Sequence, residues 1–298
     1  MIQILINIYF MEKIIIKFIY NMSDEGKIDK FNFKNLTKNK NPYRNYALIG
    51  PTQSGKTTVI KTILYYLSPL IRYVVIVSAS AQMDNEYKGM IPDIYTYENY
   101  SEDVISNILD DQMTLKKKIE DHICPENVKK MVVIIFDDII GTESKWKKNE
   151  LMDKIMTAGR HFYISFIISV QNPIFVPAKM RENMGYTIAT SINTEKRMKT
   201  FYEQFVKNCR YDTFLKIYKT IMKEKYNLIV LDNATGGNTD KLNKYLFYGR
   251  AIAPNKFPKG IRIGIRRVWE LNSKYFDPNH LYKKSKKKGG EIEITLAK

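Results

Sequence analysis

Gly50-Pro51-Thr52-Gln53-Ser54-Gly55-Lys56-Thr57 is a complete G-x-x-x-x-G-K-[ST] phosphate-binding loop, the Walker A pattern. Its surroundings are those the loop needs. Tyr46-Ala47-Leu48-Ile49 before it is a short apolar strand candidate. After it, Val59, Ile60, Ile63, Leu64 and Leu67 recur at helical spacing until Pro69 closes the segment. A chance Gly/Ser turn would not have a strand on one side and a helix on the other. The glycines allow backbone angles and close approaches that a side chain would block, so successive N–H groups can converge on phosphate oxygens. Lys56 adds a point charge near the β and γ phosphates, Thr57 offers a hydroxyl to Mg²⁺, and the helix from Thr58 onward aims its positive end at the anion. Gly50 to Thr58 is therefore the expected nucleotide contact, with ATP and Mg²⁺ as cofactors.

Downstream, Tyr73-Val74-Val75-Ile76-Val77 reads as a second buried strand, ending in Ser78-Ala79-Ser80. Ser101 before Glu102 and Asp103 suits a helix cap, and a Lys-rich helical stretch is expected from Thr114 to Ile123, before Pro125. Met131-Val132-Val133-Ile134-Ile135-Phe136-Asp137-Asp138 then delivers two acids at the end of an apolar strand, the form of a Walker B element. Paired with the phosphate loop, Asp137 is expected to hold Mg²⁺ alongside Thr57, and Asp138 to orient and help deprotonate the attacking water. Taken alone, the same residues could be a buried strand ending in a solvated acidic turn.

Asn149 to Ala158 carries Leu151, Met152, Ile155 and Met156 on one helical face, and Gly159 fits the position just past the helix end. Arg160 and His161 follow, then a strand from Tyr163 to Val170 tipped by Gln171. In a parallel sheet the C-terminal strand tips surround the ligand, which would let Gln171 sense the γ-phosphate or its attacking water; a structural turn amide is the competing account. Further strands are expected at Tyr186 to Ile192 and Asn227 to Leu231, helices at Glu195 to Lys207 and Tyr211 to Lys223, and a turn at Asp232 to Asn238. Strands alternating with helices predict an α/β fold with a parallel sheet.

The 298 residues, 44% of them hydrophobic, can bury a sizeable core, and one principal domain is the simplest organisation. The expected boundaries are an N-terminal extension and polar leader over 1–44, an ATPase core over 45–253 and a basic, partly flexible C-terminal region over 254–298. Forty-eight basic against 31 acidic residues leave a formal charge of +17, which favours a polyanionic partner, although coding by an AT-rich genome accounts for part of the lysine excess. Cys124 and Cys209 have neither disulfide-framework nor metal-ligand spacing, and His122, His161 and His280 form no metal or nucleophile constellation with them. A reducing, intracellular setting fits. The apolar first twenty residues are interrupted by Glu12, Lys13 and Lys17 short of a spanning length, and no small-residue cleavage site follows. Residues 1 to 21 are expected to be an extension outside the fold, with Met22 a candidate start. Lys283, Lys284, Lys286, Lys287 and Lys288 form a charge run able to bind phosphates without reading sequence.

Three features together resemble the genome-packaging ATPases of large DNA viruses, poxvirus-type and giant-virus, within the FtsK/HerA superfamily of DNA-pumping motors. They are the phosphate loop, Ile134-Ile135-Phe136-Asp137-Asp138, and Gly159-Arg160-His161 leading by a strand to Ser169-Val170-Gln171. The resemblance spans roughly Asn45 to Leu231. It implies a RecA/FtsK-like, mainly parallel central sheet flanked by helices on both faces. It also implies a homo-oligomeric ring, taken as a hexamer, that moves double-stranded DNA into a preformed capsid. In such rings arginines act across subunits, which makes Arg160 the candidate finger; a cation satisfying its own helix end is the rival account. Many superfamily members have Glu where this chain has Asp138. A capsid or virion inner-membrane partner, and a location at the assembly site in the host cytoplasm or in the virion, are further implications. The alternatives are a small-molecule P-loop kinase, for which an Arg-rich lid is missing from the sequence, and a nucleotide-gated adaptor with slow hydrolysis.

Overall fold

The computed structural model describes residues 28–78, 86–138, 146–207, 209–236 and 242–276. The expected N-terminal extension over 1–21 and the lysine run at 283–288 lie outside the described residues, as does the end of the turn expected at Asp232 to Asn238. The strands in chain order are β1 Asp29–Lys30, β2 Tyr46–Ile49, β3 Ile71–Val77, β4 Thr96–Tyr97, β5 Met131–Asp137, β6 Ile164–Val170, β7 Tyr186–Ala189, β8 Asn227–Asp232 and β9 Leu246–Arg250. The longer helices are α1 Lys56–Leu67, α2 Glu102–Glu120, α3 Glu150–Ala158, α4 Glu195–Phe205, α5 Tyr211–Ile221 and α6 Arg266–Tyr275. The fold is α/β with mainly parallel strand pairing. Two compact units divide the chain: the described residues of Met1–Tyr66 and Ile167–Phe257 form the first, those of Leu67–Phe166 and Pro258–Lys298 the second.

In the first unit β2 lies between β6 and β7 and is parallel to both, with Ile49 opposite Val170 on one side and Ala189 on the other. All four β2 residues are buried, as expected of a strand covered on both faces. The predicted apolar stripe of α1 is also buried, at Val59, Ile60, Ile63, Leu64 and Leu67. Thr62 on the same helix is satisfied locally: its hydroxyl donates to the Thr58 carbonyl at 2.8 Å and accepts from the Ile252 N–H at 3.0 Å. Antiparallel β8 and β9 continue from β7, and the short β1 pairs parallel with β9. The sequence reading anticipates β8 but not β9, which mixes aromatic, glycine and exposed residues instead of a clean alternation. Gly249 in it is required by close packing, since a Cβ there would lie 2.6 Å from Leu228 Cδ1.

In the second unit β3 pairs parallel with both β5 and β4, and after a register shift between Ile71 and Tyr73 the β3–β5 pairing runs unbroken to Val77 opposite Phe136. Two expectations change here. The helix expected from Thr114 to Ile123 is the second half of a single 19-residue helix that starts at Glu102, with the Ser101 hydroxyl accepting from Val104 N–H at 3.5 Å. Asp110, Asp111 and Gln112 mask its periodicity because two of them are used inside. Asp111 pairs with Arg72 at 2.5 Å, and the Gln112 amide donates to the Lys130 and Phe162 carbonyls, both at 2.8 Å. Helix α6 was not expected at all, since the basic stretch beyond Pro254 shows little apolar periodicity; Val268 is its buried residue.

Candidate functional site

The parallel arrangement brings three strand tips of the first unit together. Gly50 follows β2, Gln171 follows β6 and Thr190 follows β7, each one residue past a matched pair. The Gly50 N–H donates to the Val170 carbonyl at 3.1 Å and the Thr190 N–H to the Ile49 carbonyl at 3.0 Å. Gln171 is thus adjacent to the phosphate loop and half-buried, and is followed by Asn172. That side chain accepts from Ile174 N–H at 3.3 Å, starting the turn Pro173–Phe175. Strand β7 was expected to continue to Ile192, but it stops at Ala189 because Thr190 turns its polar groups to the loop.

The loop is built by backbone geometry and small side chains. Gln53 and Gly55 have φ of 61° and 91°, the left-handed angles by which it reverses direction. The role of Gly50 is different: a Cβ there would collide with Thr190 Oγ1 and lie 2.6 Å from Ser54 Oγ. The Thr190 hydroxyl donates to Ser54 Oγ at 2.7 Å, and Ser54 Oγ donates to the Pro51 carbonyl at 2.7 Å. That carbonyl also accepts from Lys56 Nζ at 3.1 Å, and Lys56 is only 5% exposed. Thr52 and Gln53 form the exposed crown, while Pro51, Ser54, Gly55, Thr57 and Thr58 are half-buried. Behind Thr190, the Tyr218 hydroxyl donates to its carbonyl at 2.9 Å and accepts from Ile192 N–H at 2.5 Å. Burial pushes the Tyr218 phenol up to about 12, so it remains a donor. The sequence reading missed Thr190 and Tyr218. Thr190 carries the same signal as Gln171, a polar residue after an apolar strand, but the overestimated strand length hid it.

Asp137, Asp138 and Arg160 belong to the second unit. Asp137 closes β5, is 8% exposed, and accepts from the Tyr87 hydroxyl at 2.7 Å. Asp138 follows with φ 48°, a left-handed angle uncommon outside glycine but more accessible to Asp than to most residues. It is half-buried. Such outliers gather at functional sites, where surrounding structure enforces them. Tyr87, too, escaped the sequence reading, and nothing in its local sequence marks it.

Arg160 is exposed on the one-turn 3₁₀ helix Gly159–Phe162 that extends α3, with its Nε 3.5 Å from His161 Nε2. Gly159 does not take the left-handed closing position expected of it: its φ is −53°, and Tyr163 at φ 60° ends the turn. The 3₁₀ turn delays the reversal by four residues and carries Arg160 beyond the helix proper.

Thr57 in the first unit and Asp137 in the second each carry an oxygen donor of the kind hard cations take. Among the described residues no group of three or more His, Cys, Asp or Glu side chains could hold a metal. Among the described residues no helix is long and apolar enough to cross a membrane.

The chain is 24% identical over 237 residues to an uncharacterised protein of Acanthamoeba polyphaga mimivirus, covering 78% of this chain and 80% of that one. An uncharacterised protein of Frog virus 3 is 25% identical over 228 residues, covering 75% and 66% respectively. Among solved structures, B204, the DNA-packaging ATPase of Sulfolobus turreted icosahedral virus, superposes with a TM-score of 0.47 at 16% identity, covering 72% of this chain and all of that one. The pCW3 conjugation coupling protein TcpA superposes with a TM-score of 0.48 at 14% identity, covering 82% and 65%. The family described as Poxvirus A32 protein matches residues 28–245, well over half of the sequence, and the chain belongs to that family.

Proposed function

We propose that this protein is an ATP-hydrolysing motor that translocates double-stranded viral DNA into a preformed capsid. The observation that carries the reading is the convergence of the Gly50, Gln171 and Thr190 strand tips on a complete phosphate loop. Membership of the Poxvirus A32 family supports the viral packaging role. The proposed core is 45–253, with 254–298 as a basic appendage.

In this proposal the loop N–H groups from Gly50 to Thr58 cradle the ATP phosphates, and the Lys56 ammonium exchanges the Pro51 carbonyl for phosphate oxygens. Thr57 and Asp137 would hold Mg²⁺, which would offset phosphate charge during transfer. Asp138 positions the attacking water and accepts its proton. Gln171 senses the γ-phosphate from its strand tip. Arg160, exposed at the end of its turn, serves the neighbouring subunit of a ring proposed to be hexameric, where a guanidinium stabilises the phosphoryl-transfer transition state. DNA is gripped through its phosphates, in keeping with the +17 charge, and without sequence readout. Docking to a capsid or virion inner membrane at the assembly site in the host cytoplasm completes the proposal.

The test is ATP hydrolysis with and without long double-stranded DNA, with sizing in the presence of nucleotide. Turnover stimulated by DNA in a ring-sized species is the expected result. Hydrolysis indifferent to DNA overturns the motor, and phosphate transfer to a metabolite would make the protein a kinase instead. For Arg160, mixing Arg160→Ala subunits with Lys56→Ala subunits should restore part of the turnover that each lacks alone, because only a trans-acting arginine lets the two defects complement.

A further inference from the structure

The Tyr87 hydroxyl bonds to Asp137 Oδ2 at 2.7 Å, a length typical of a charge-assisted O–H···O⁻ bond. Both residues are buried, Tyr87 5% and Asp137 8% exposed. We propose that Tyr87 is a positioning residue for the acidic strand tip: its hydroxyl fixes the rotation of the Asp137 carboxylate so that a single orientation is offered to Mg²⁺. This rests on the proposed role of Asp137 as the metal-holding acid.

Asp137 needs such a restraint because of where its strand stops. The β3–β5 register ends with Val77 opposite Phe136, so Asp137 lies one residue past the last matched pair, and Asp138 leaves the strand at φ 48°. A carboxylate there has two equivalent oxygens and a soft terminal torsion. Hydrogen bonding one oxygen to a fixed donor removes that freedom.

Tyr87 is itself fixed. The Met90 and Ile91 N–H groups both donate to its carbonyl at 3.1 Å, and Gly89 at φ 76° lets this turn close. The turn is pinned from outside by the Ile263 N–H, which donates to the Met90 carbonyl at 2.9 Å. The segment around Ile263 is anchored in turn by the Ile265 N–H on the Arg72 carbonyl at 2.8 Å, beside Gly264 at φ 104°, where an added Cβ would lie 3.0 Å from that same carbonyl. A phenol has only two side-chain torsions, so anchoring its backbone and burying its ring leaves the hydroxyl little room to wander. Loss of partners of this kind, hydrogen-bonded to a metal ligand without touching the metal, typically costs about 10–100-fold in metal affinity or activity. A tyrosine that merely satisfied a buried acid would affect folding and leave the Mg²⁺ requirement unchanged.

The experiment titrates Mg²⁺ against binding of a fluorescent ATP analogue to the full-length protein, with analogue affinity in EDTA as the control for an intact phosphate loop. Tyr87→Phe is expected to raise half-saturating Mg²⁺ by about tenfold or more, with affinity in EDTA unchanged, and Asp137→Asn should do at least as much. If Asp137→Asn shifts the titration and Tyr87→Phe stays within about twofold of wild type, the positioning role is overturned and the reading of Asp137 survives. If Asp137→Asn leaves the titration in place, Asp137 is not the metal acid and both readings fall. Should Tyr87→Phe not fold, Tyr87→Leu, which likewise lacks a donor, takes its place; a rise of at least about threefold is expected, and wild-type behaviour overturns the proposal.

Discussion

The phosphate loop and the acidic strand tip are held in place by different means. The loop relies on backbone: two left-handed residues, a glycine wedged against Thr190, and N–H groups bonded to neighbouring strand ends. The side chains that brace it, Ser54 and Thr190, are small and bond mainly to one another and to carbonyls. The acidic tip relies on side chains: Tyr87 grips Asp137 from a turn fifty residues earlier in the chain. A backbone-built site should resist loss of a hydroxyl and fail on gain of a methyl group, whereas a side-chain-built site should lose its chemistry to an isosteric change and keep its fold.

That contrast can be broken experimentally. The largest effect is expected at Asp138: Asp138→Asn should lower turnover by about 10²–10⁴-fold while ATP binding and thermal stability stay near wild type. Equal hydrolysis by the variant and wild type would remove Asp138 as the base. Lys56→Ala should follow, with hydrolysis down about 10²–10³-fold and weaker binding of a fluorescent nucleotide; unchanged affinity would show that backbone donors alone hold the phosphates. Gly50→Ala should destabilise the protein by about 1–3 kcal/mol in denaturant unfolding, because its methyl group must displace Thr190 or Ser54. The smallest effect is expected for Thr190→Ser, which keeps the hydroxyl and loses a methyl group, at about 1 kcal/mol or less. If Gly50→Ala proves milder than Thr190→Ser, the loop is not packed as described.

Legibility in the sequence follows the same division. Strands β2, β3, β5 and β6 and helix α1 could be read because each is a continuous apolar run or a clean helical stripe. Helix α2 was half lost because Asp111 and Gln112, polar by type, are spent inside on Arg72 and on two carbonyls. Strand β9 and helix α6 were invisible because a half-buried element needs few apolar positions. Gly159 misled for another reason: glycine permits a left-handed angle without requiring one, and Tyr163 took that position. Whether Arg160 acts in trans is a property of an assembly, and no spacing within one chain encodes it.

What the sequence determined by itself is the phosphate loop. Its eight contiguous residues carry their own chemistry in backbone N–H groups, the Lys56 ammonium and the Thr57 hydroxyl, and its strand and helix adjoin it in the chain. Tertiary structure alone decided the supports. Thr190 meets Ser54 across 136 residues because parallel β2 and β7 end at the same level, and Tyr87 meets Asp137 across 50 because a turn after β3 is folded back and pinned at Met90. A hydrogen bond between distant residues depends on strand register and loop path, which are settled by packing the whole sheet, so neither partner carries a local mark of the other.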